Sequence, residues 1–288
     1  MSINFITRQL SKEISPNNKR LIILGSARSG TSWLCETLSR QSRYRLLFEP
    51  EHPNHVKQGK FIADHTRFSL DEDFAKFFFN KVFSNRIDND WIAQHSYRKY
   101  KMHLWPFIPK FFVIKMIRTN LLTSFFLNNY SHPILFVVRN PYQVIHSQNR
   151  VKFPWLYDLG VFAKNEKLCS DLYEHTGIVL KCEVFSDFEK LVIRWGIENC
   201  LYALPSHPNL FFHKYEDLKK DHTIIPSLML KVKMEVPDNL SEIIQKPSSK
   251  THKHSTVFYN TSDLTLNQDQ KNIVKSILSR FPHQYYVL

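Results

Sequence analysis

Apolar residues in this chain gather into short, nearly unbroken runs: Leu21-Ile22-Ile23-Leu24, Leu46-Leu47-Phe48, Phe111-Phe112-Val113-Ile114, Ile134-Leu135-Phe136-Val137-Val138 and Leu210-Phe211-Phe212. Runs of this length that do not alternate belong to strands buried on both faces, as in a parallel sheet. They predict strands over residues 20–25, 44–48, 111–115, 134–138 and 210–214. Between them the apolar spacing changes to that of helices. Leu34 and Leu38 share one face of a helix over 31–41, and Phe74, Phe77 and Phe78 stand at core spacing over 71–83. A helix opens from Tyr142 with Pro141 in its first turn, where a missing N–H costs nothing. A long one over 187–204 sets Leu191, Trp195 and Asn199 near one face. Strands separated by helices imply βαβ units, with the second strand and its terminal Glu49 beside the first, and a sheet with both faces covered. The expectation is a single α/β domain over 20–288, three layers thick, with a central, mainly parallel five-stranded sheet flanked by helices. Residues 1–19 read as a polar arm, and 50–69, rich in His, Pro and Asn, as a loop over the strand ends. There is no internal repeat and no low-complexity tract.

The loop after the first strand carries the most chemistry. Gly25-Ser26-Ala27-Arg28-Ser29-Gly30-Thr31-Ser32 has two glycines at the spacing of a phosphate-binding loop, and a helix opens after it. Backbone N–H groups and the positive end of the helix dipole converge there on one anion, a P-loop-type arrangement. Thr31 stands where such loops carry the Lys that reaches the β- and γ-phosphates of a nucleoside triphosphate, which argues against an NTPase. Arg28, inside the loop, offers a guanidinium that can bridge a phosphate and a neighbouring transferable group. The fourth strand ends in Arg139-Asn140-Pro141, with Ser147 eight residues beyond Arg139. One sits at the strand end and the other on the next helix, so both can grip a single phosphate. Gly25, Glu49, Arg139 and Tyr215 all fall at or just past strand ends, where ligands bind in folds of this kind.

Together these segments resemble the sulfotransferases that use 3′-phosphoadenosine 5′-phosphosulfate (PAPS). The stretch Ser26-Ala27-Arg28-Ser29-Gly30-Thr31-Ser32-Trp33-Leu34 is similar to their 5′-phosphosulfate loop. Val138-Arg139-Asn140-Pro141 with Ser147 resembles their 3′-phosphate site, Lys214-Tyr215-Glu216-Asp217-Leu218 their Tyr-Glu-Asp-Leu segment, and residues 266–281 their closing helix. The resemblance runs in order over about residues 20–285. It implies PAPS as donor co-substrate, no metal, and an acceptor bearing a hydroxyl. It assigns Arg28 to the leaving group. The step Phe48-Glu49-Pro50 resembles that of carbohydrate sulfotransferases, which implies a saccharide acceptor and Glu49 as general base, with His52 as the alternative. Trp33 matches the position that stacks on adenine in cytosolic members, although a core role on the first helix is open. Tyr215 matches a residue that reaches adenine in some members, although packing of its own motif is open too. The basic loop over 246–261, with Lys250 at its centre, corresponds loosely to the segment that closes over the 3′-phosphate. The cytosolic branch's Arg-Lys-Gly triplet is absent from it.

Composition narrows the alternatives. Lys and Arg number 39 against 26 Asp and Glu, a net charge of +13, which favours anionic ligands without choosing among them. A P-loop kinase-like enzyme lacks its Lys and an acidic magnesium ligand after a strand. A non-catalytic polyanion binder would suit the charge, but no nucleic-acid-binding signature is present. The four cysteines, Cys35, Cys169, Cys182 and Cys200, show no metal-site spacing and read as free thiols, with a Cys169–Cys182 bridge conceivable only in an oxidising compartment. No run suits a membrane span or a signal peptide, so a cytoplasmic location is expected.

Overall fold

Five strands pair in parallel in the order β2-β3-β1-β4-β5: Lys19–Leu24 (β1), Tyr44–Phe48 (β2), Phe111–Met116 (β3), Ile134–Val138 (β4) and Leu210–Lys214 (β5). They come from a computed structural model that describes residues 19–41, 43–64, 66, 69–87, 89–94, 109–181, 184–249 and 266–288. The expected arm, apart from Lys19, lies outside those residues. So do Lys250, the rest of the basic loop beyond Ser249, and Cys182. Cys35, Cys169 and Cys200 are free thiols.

Alternation within β1 divides the core. Leu21 and Ile23 face Leu34, Cys35 and Leu38 of helix α1 (Thr31–Ser39). Ile22 and Leu24 face the other layer, with Phe78, Phe79 and Phe83 of α2 (Glu72–Phe83) and Trp195 and Ile197 of a later helix. All four β1 side chains are fully buried. Burying each contributes about 2 kcal/mol, so β1 is the element around which both layers close. The loop that follows it therefore starts from the most rigid point of the sheet.

Several expectations need correction. In α2 the buried positions are Ala75, Phe78, Phe79, Val82 and Phe83, while Phe77 is 53% exposed beneath the ammonium group of Lys81. Of the three phenylalanines at core spacing, Phe78 is buried and Phe74 packs against the core, so only Phe77 departs from the expectation. The long helix stops early, at Asp187–Cys200, and 201–209 runs on without helix before β5. Pro205 and Pro208 keep Leu204 and His207 out of the helical region, so the helix could not have run through 204. The second strand does not lie beside the first: β3 separates them. Glu49 is therefore two strand spacings from β1, about 9.5 Å. Further helices cover Thr123–Asn129 (α3), Pro141–Val151 (α4), Glu166–Thr176 (α5), Tyr215–Lys220 (α7), Ile224–Lys231 (α8) and Leu240–Gln245 (α9), with Asp187–Cys200 as α6 and Gln268–Leu278 as α10.

Gly25 joins β1 to the loop against β4. A Cβ there would stand 2.6 Å from the Val137 carbonyl oxygen, a backbone atom fixed by the sheet. Gly25→Ala is expected to cost about 1–3 kcal/mol through this overpacking, read as a lowered midpoint in urea unfolding. An unchanged midpoint would contradict so close an approach.

Candidate active site

The loop is shaped by side chains that take up its carbonyl groups. Ser26 C=O accepts from the Ser29 N–H at 3.1 Å and the Ser29 hydroxyl at 2.7 Å. Ala27 C=O accepts from Gln148 Nε2 at 2.9 Å, and Arg28 C=O from Arg139 at 3.4 Å. The acceptors are thus turned back into the protein. Gly30, at φ 89°, is the N-cap of α1 and lends no side chain to the first helical N–H groups, which leaves them for an anion. Its Cα rests against the Tyr215 ring, where a Cβ would come within 2.3 Å. Arg28 also has a left-handed backbone, at φ 71°. Only a surrounding structure that over-determines the loop sustains this in a residue with a Cβ.

Arg28, Arg139 and Ser147 come together. Arg28 Nε donates to Ser147 Oγ at 2.9 Å. Arg139 lies over the Tyr215 ring at 4.7 Å, with Nε and a terminal nitrogen both donating to Gln143 Oε1. Among the described residues neither guanidinium pairs with a carboxylate. Burial, then the charges of Arg139 and Arg150, pushes Arg28 below its ordinary range. The corner is braced from behind by Glu216, which accepts from the Asn140 N–H at 3.0 Å and the Tyr286 hydroxyl at 2.6 Å. Ser26 accepts from Asn199 Nδ2 at 2.8 Å, Thr31 is buried, and Ser32 is half-exposed at the head of α1. Trp33 is only 6% exposed: its Nε1 donates to Ile244 C=O at 3.1 Å, its ring meets Tyr215 edge-on at 5.5 Å, and Lys219 sits over it. It packs behind Tyr215.

A second corner lies at the ends of β2 and β3. Glu49, at φ 44°, is buried between Lys115, which donates to Oε1, and Arg118, 3.5 Å from Oε2. Burial works to raise its carboxyl, but the two cations outweigh it and hold it below the ordinary range. Glu51 is fully buried. Its Oε1 accepts from the N–H groups of Ile117 at 2.8 Å and Arg118 at 3.2 Å, while Oε2 has no partner. Burial, and then the charge of Glu49, pushes it up to about 7. His52 is pushed down to about 4 by burial and Arg118. Its Nδ1 accepts from the Asn54 N–H at 3.2 Å, which occupies the lone pair a base would use.

No family model matches this chain, and no curated protein matches it. Solved structures do. A sulfotransferase domain from the curacin biosynthetic pathway is 15% identical over 93% of this chain and 94% of its own length, with a TM-score of 0.44. Mouse sulfotransferase SULT7A1, solved with PAP, is 13% identical over 97% and 90%, with a TM-score of 0.44. A sulfotransferase domain from the Synechococcus PCC 7002 olefin synthase is 14% identical over 95% and 93%, with a TM-score of 0.35. These three similar structures are all sulfotransferases. At such identities the chemistry has to be read from this chain's own side chains.

Lys115, Arg118, Glu51 and Gln148 did not stand out in the sequence as site residues, and Glu216 did so only within the Tyr-Glu-Asp-Leu segment. One signal was available for the first: a Lys within the apolar run of β3 has to be paired where it is buried. Gln148 carried none, because its partner is a backbone carbonyl 121 residues away.

The Glu51 carboxyl makes a directional test. The unfolded chain releases this proton near the ordinary value of 4.5, whereas the folded chain holds it to about 7. The folded state binds more protons between those values, so its stability falls as pH rises through the window. Glu51→Gln keeps an acceptor for both N–H groups and removes the titration. The Tm of the variant is expected to rise relative to wild type between about pH 5 and about pH 8. Parallel Tm curves would contradict a buried, protonated Glu51.

Proposed function

We propose that this chain transfers a sulfuryl group from PAPS to an acceptor hydroxyl. The observation that carries the proposal is the junction of Arg28, Ser147 and Arg139, two cationic grips joined at one corner with no carboxylate paired to either among the described residues. The loop, with its acceptors turned away, suits the 5′-phosphosulfate. Arg139 and Ser147 suit a separate 3′-phosphate, with the Tyr215 ring, backed by Trp33, as a wall for the adenine. A nucleoside triphosphate has no 3′-phosphate for the second grip and would lack the loop Lys.

In the proposed reaction the acceptor oxygen attacks sulfur in line with the bridging oxygen. The new O–S bond forms as the bond from sulfur to that oxygen breaks, and 3′-phosphoadenosine 5′-phosphate (PAP) departs. Arg28 and the loop N–H groups stabilise the charge growing on the departing phosphate. The acceptor's proton passes to a carboxylate. Glu49 is ionised and stands across β3 from the loop. Its pairing with Lys115 and Arg118 makes it a weaker base than an ordinary carboxylate, and that pair can also offset negative charge on the sulfuryl oxygens. A saccharide acceptor is supported by the Phe48-Glu49-Pro50 step. Among the described residues no helix is long and apolar enough to cross a membrane.

Calorimetry tests the donor. PAP is expected to bind and ATP, with or without magnesium, to bind far more weakly; the reverse order would reject the proposal. Arg139→Ala is expected to weaken PAP by about 10- to 100-fold, the range for a lost charged hydrogen bond, while adenosine 5′-phosphate changes little. Equal losses would remove the 3′-phosphate assignment. Glu49→Gln is expected to leave PAP affinity intact and lower turnover by about 100-fold or more. The acid limb of the wild-type pH–rate profile should then lie below the ordinary carboxylate range. A limb near 7 would transfer the role to Glu51.

A further inference from the structure

The Glu216 carboxylate meets the Arg139 corner without pairing with Arg139. Its Oε1 accepts from the N–H of Asn140, the residue next to Arg139, at 3.0 Å. Its chain neighbour Tyr215 carries the ring on which the Arg139 guanidinium rests, at 4.7 Å. A carboxylate and a guanidinium brought to one corner pair readily, often through two parallel hydrogen bonds. Among the described residues these two do not, and Arg139 instead donates twice to the neutral Gln143 side chain. The partner of the second carboxylate oxygen explains why. Glu216 Oε2 accepts from the Tyr286 hydroxyl at 2.6 Å. The carbonyl of Val138, the last residue of β4, lies 3.2 Å from the same hydroxyl. Both oxygens of Glu216 are thus engaged, one by the backbone beside Arg139 and one by the end of the chain.

The tail that supplies this hydroxyl is itself held. The His283 N–H donates to Cys200 C=O at 3.2 Å, Gln284 Nε2 donates to Leu278 C=O at 2.6 Å, and the Tyr285 ring packs on Phe212 at 4.8 Å. Lys214 Nζ lies over the Tyr286 ring at 4.9 Å. A tail tied in this way presents its hydroxyl at a fixed place. Burial, and then the Glu216 carboxylate, raises the Tyr286 hydroxyl above its ordinary range, so it remains a donor at physiological pH. A hydroxyl bonded to a carboxylate makes a hydrogen bond of the strong, charge-assisted kind.

We propose that Tyr286 is a positioning residue that holds the Glu216 carboxylate off Arg139 and so keeps that guanidinium free for a 3′-phosphate. Without the hydroxyl, Oε2 turns to the uncompensated guanidinium, and an incoming phosphate has to break an ion pair before it binds. Lys214 is the other cation at hand, but its ammonium group rests on the aromatic ring and is held there by the ring itself. The role in donor binding rests on the reading of Arg139 as the grip on the 3′-phosphate. The restraint on Glu216 stands without it.

Calorimetry on the full chain with a double-mutant cycle is the test. Tyr286→Phe keeps the ring beneath Lys214 and removes only the hydroxyl. It is expected to weaken PAP by about tenfold, the scale of a lost charged hydrogen bond, while adenosine 5′-phosphate changes by less than about twofold. The second nucleotide has no 3′-phosphate, and its binding reports that the variant is folded. Glu216→Gln still accepts from the Asn140 N–H but has no charge to offer Arg139. In that background Tyr286→Phe is expected to cost PAP less than about twofold, a coupling that a merely structural tail would not show. A crystal structure of the ligand-free Tyr286→Phe variant is expected to place Glu216 within about 4 Å of the Arg139 guanidinium. An equal loss of PAP affinity in both backgrounds overturns the proposal. So does an equal loss for the two nucleotides, or a Glu216 that keeps its place in the crystal. If PAP does not bind the wild-type protein, the donor reading fails, and the crystal structure alone decides whether Tyr286 restrains Glu216.

Discussion

Arg28 and Arg139 occupy one corner where, among the described residues, no carboxylate pairs with either, and the geometry of the loop follows from how that crowding is endured. A guanidinium cannot shed its proton at physiological pH, so like charge has to be borne by fixed hydrogen bonds. Ser147 and Gln143 supply these as neutral acceptors, and the Arg28 carbonyl supplies one more. That last bond does two things. It orients Arg139, and it turns a loop carbonyl away from the space the N–H groups face. Placing a carboxylate here would relieve the repulsion and fill the site. Its absence leaves the relief to an anion from outside, and the left-handed backbone at Arg28 is the strain accepted to hold the arrangement open.

The other corner solves the opposite problem. Glu49, Glu51, Lys115 and Arg118 are all buried together, two acids against two bases. Ionising both acids is unfavourable at this proximity, so their titrations part: Glu49 is held low by Lys115 and Arg118, and Glu51 is driven up to about 7. The corner then carries a net positive charge when Glu51 is protonated. The Trp155 ring lies under Arg118 at 3.9 Å and under Arg194 at 5.2 Å. Arg194 pairs with Glu198, whose carboxyl contacts Ser26 of the loop. Trp155 thus stands between Arg118 and Arg194, and Glu198 between Arg194 and the loop.

What could be read from the sequence was what is local. Unbroken apolar runs announce buried strands whatever their neighbours, and the two-glycine loop and Arg139-Asn140-Pro141 carry their chemistry in adjacent residues. Strand order is not local. Glu49 looks adjacent to β1 along the chain, yet β3, formed more than sixty residues later, inserts between them. Phe77 departed from its expected place for a related reason: with Phe74, Phe77, Phe78, Phe79 and Phe83 in one helix, more than one face is apolar, and packing alone selects. Lys115 and Gln148 are ordinary residues until tertiary structure supplies Glu49 and the Ala27 carbonyl. Trp33 satisfied two patterns at once. Its indole N–H bonds Ile244 and its ring packs edge-on against Tyr215.

The sheet order also sets the scale of the site. The chain leaves β1 for one edge, returns as β3, crosses β1 to become β4, and continues outward to β5. The direction of winding reverses around β1, and crevices open at the carboxyl ends of strands where it does. The loop after β1 sits in that crevice with β3 on one flank and β4 on the other. The acid corner is therefore fixed about two strand spacings to one side and Arg139 about one to the other. These distances are set by backbone hydrogen bonds, not by side-chain rotamers. A substitution can change what each corner does, but it cannot bring the corners closer without breaking the ladder. A ligand that engages both must be elongated across the strand ends.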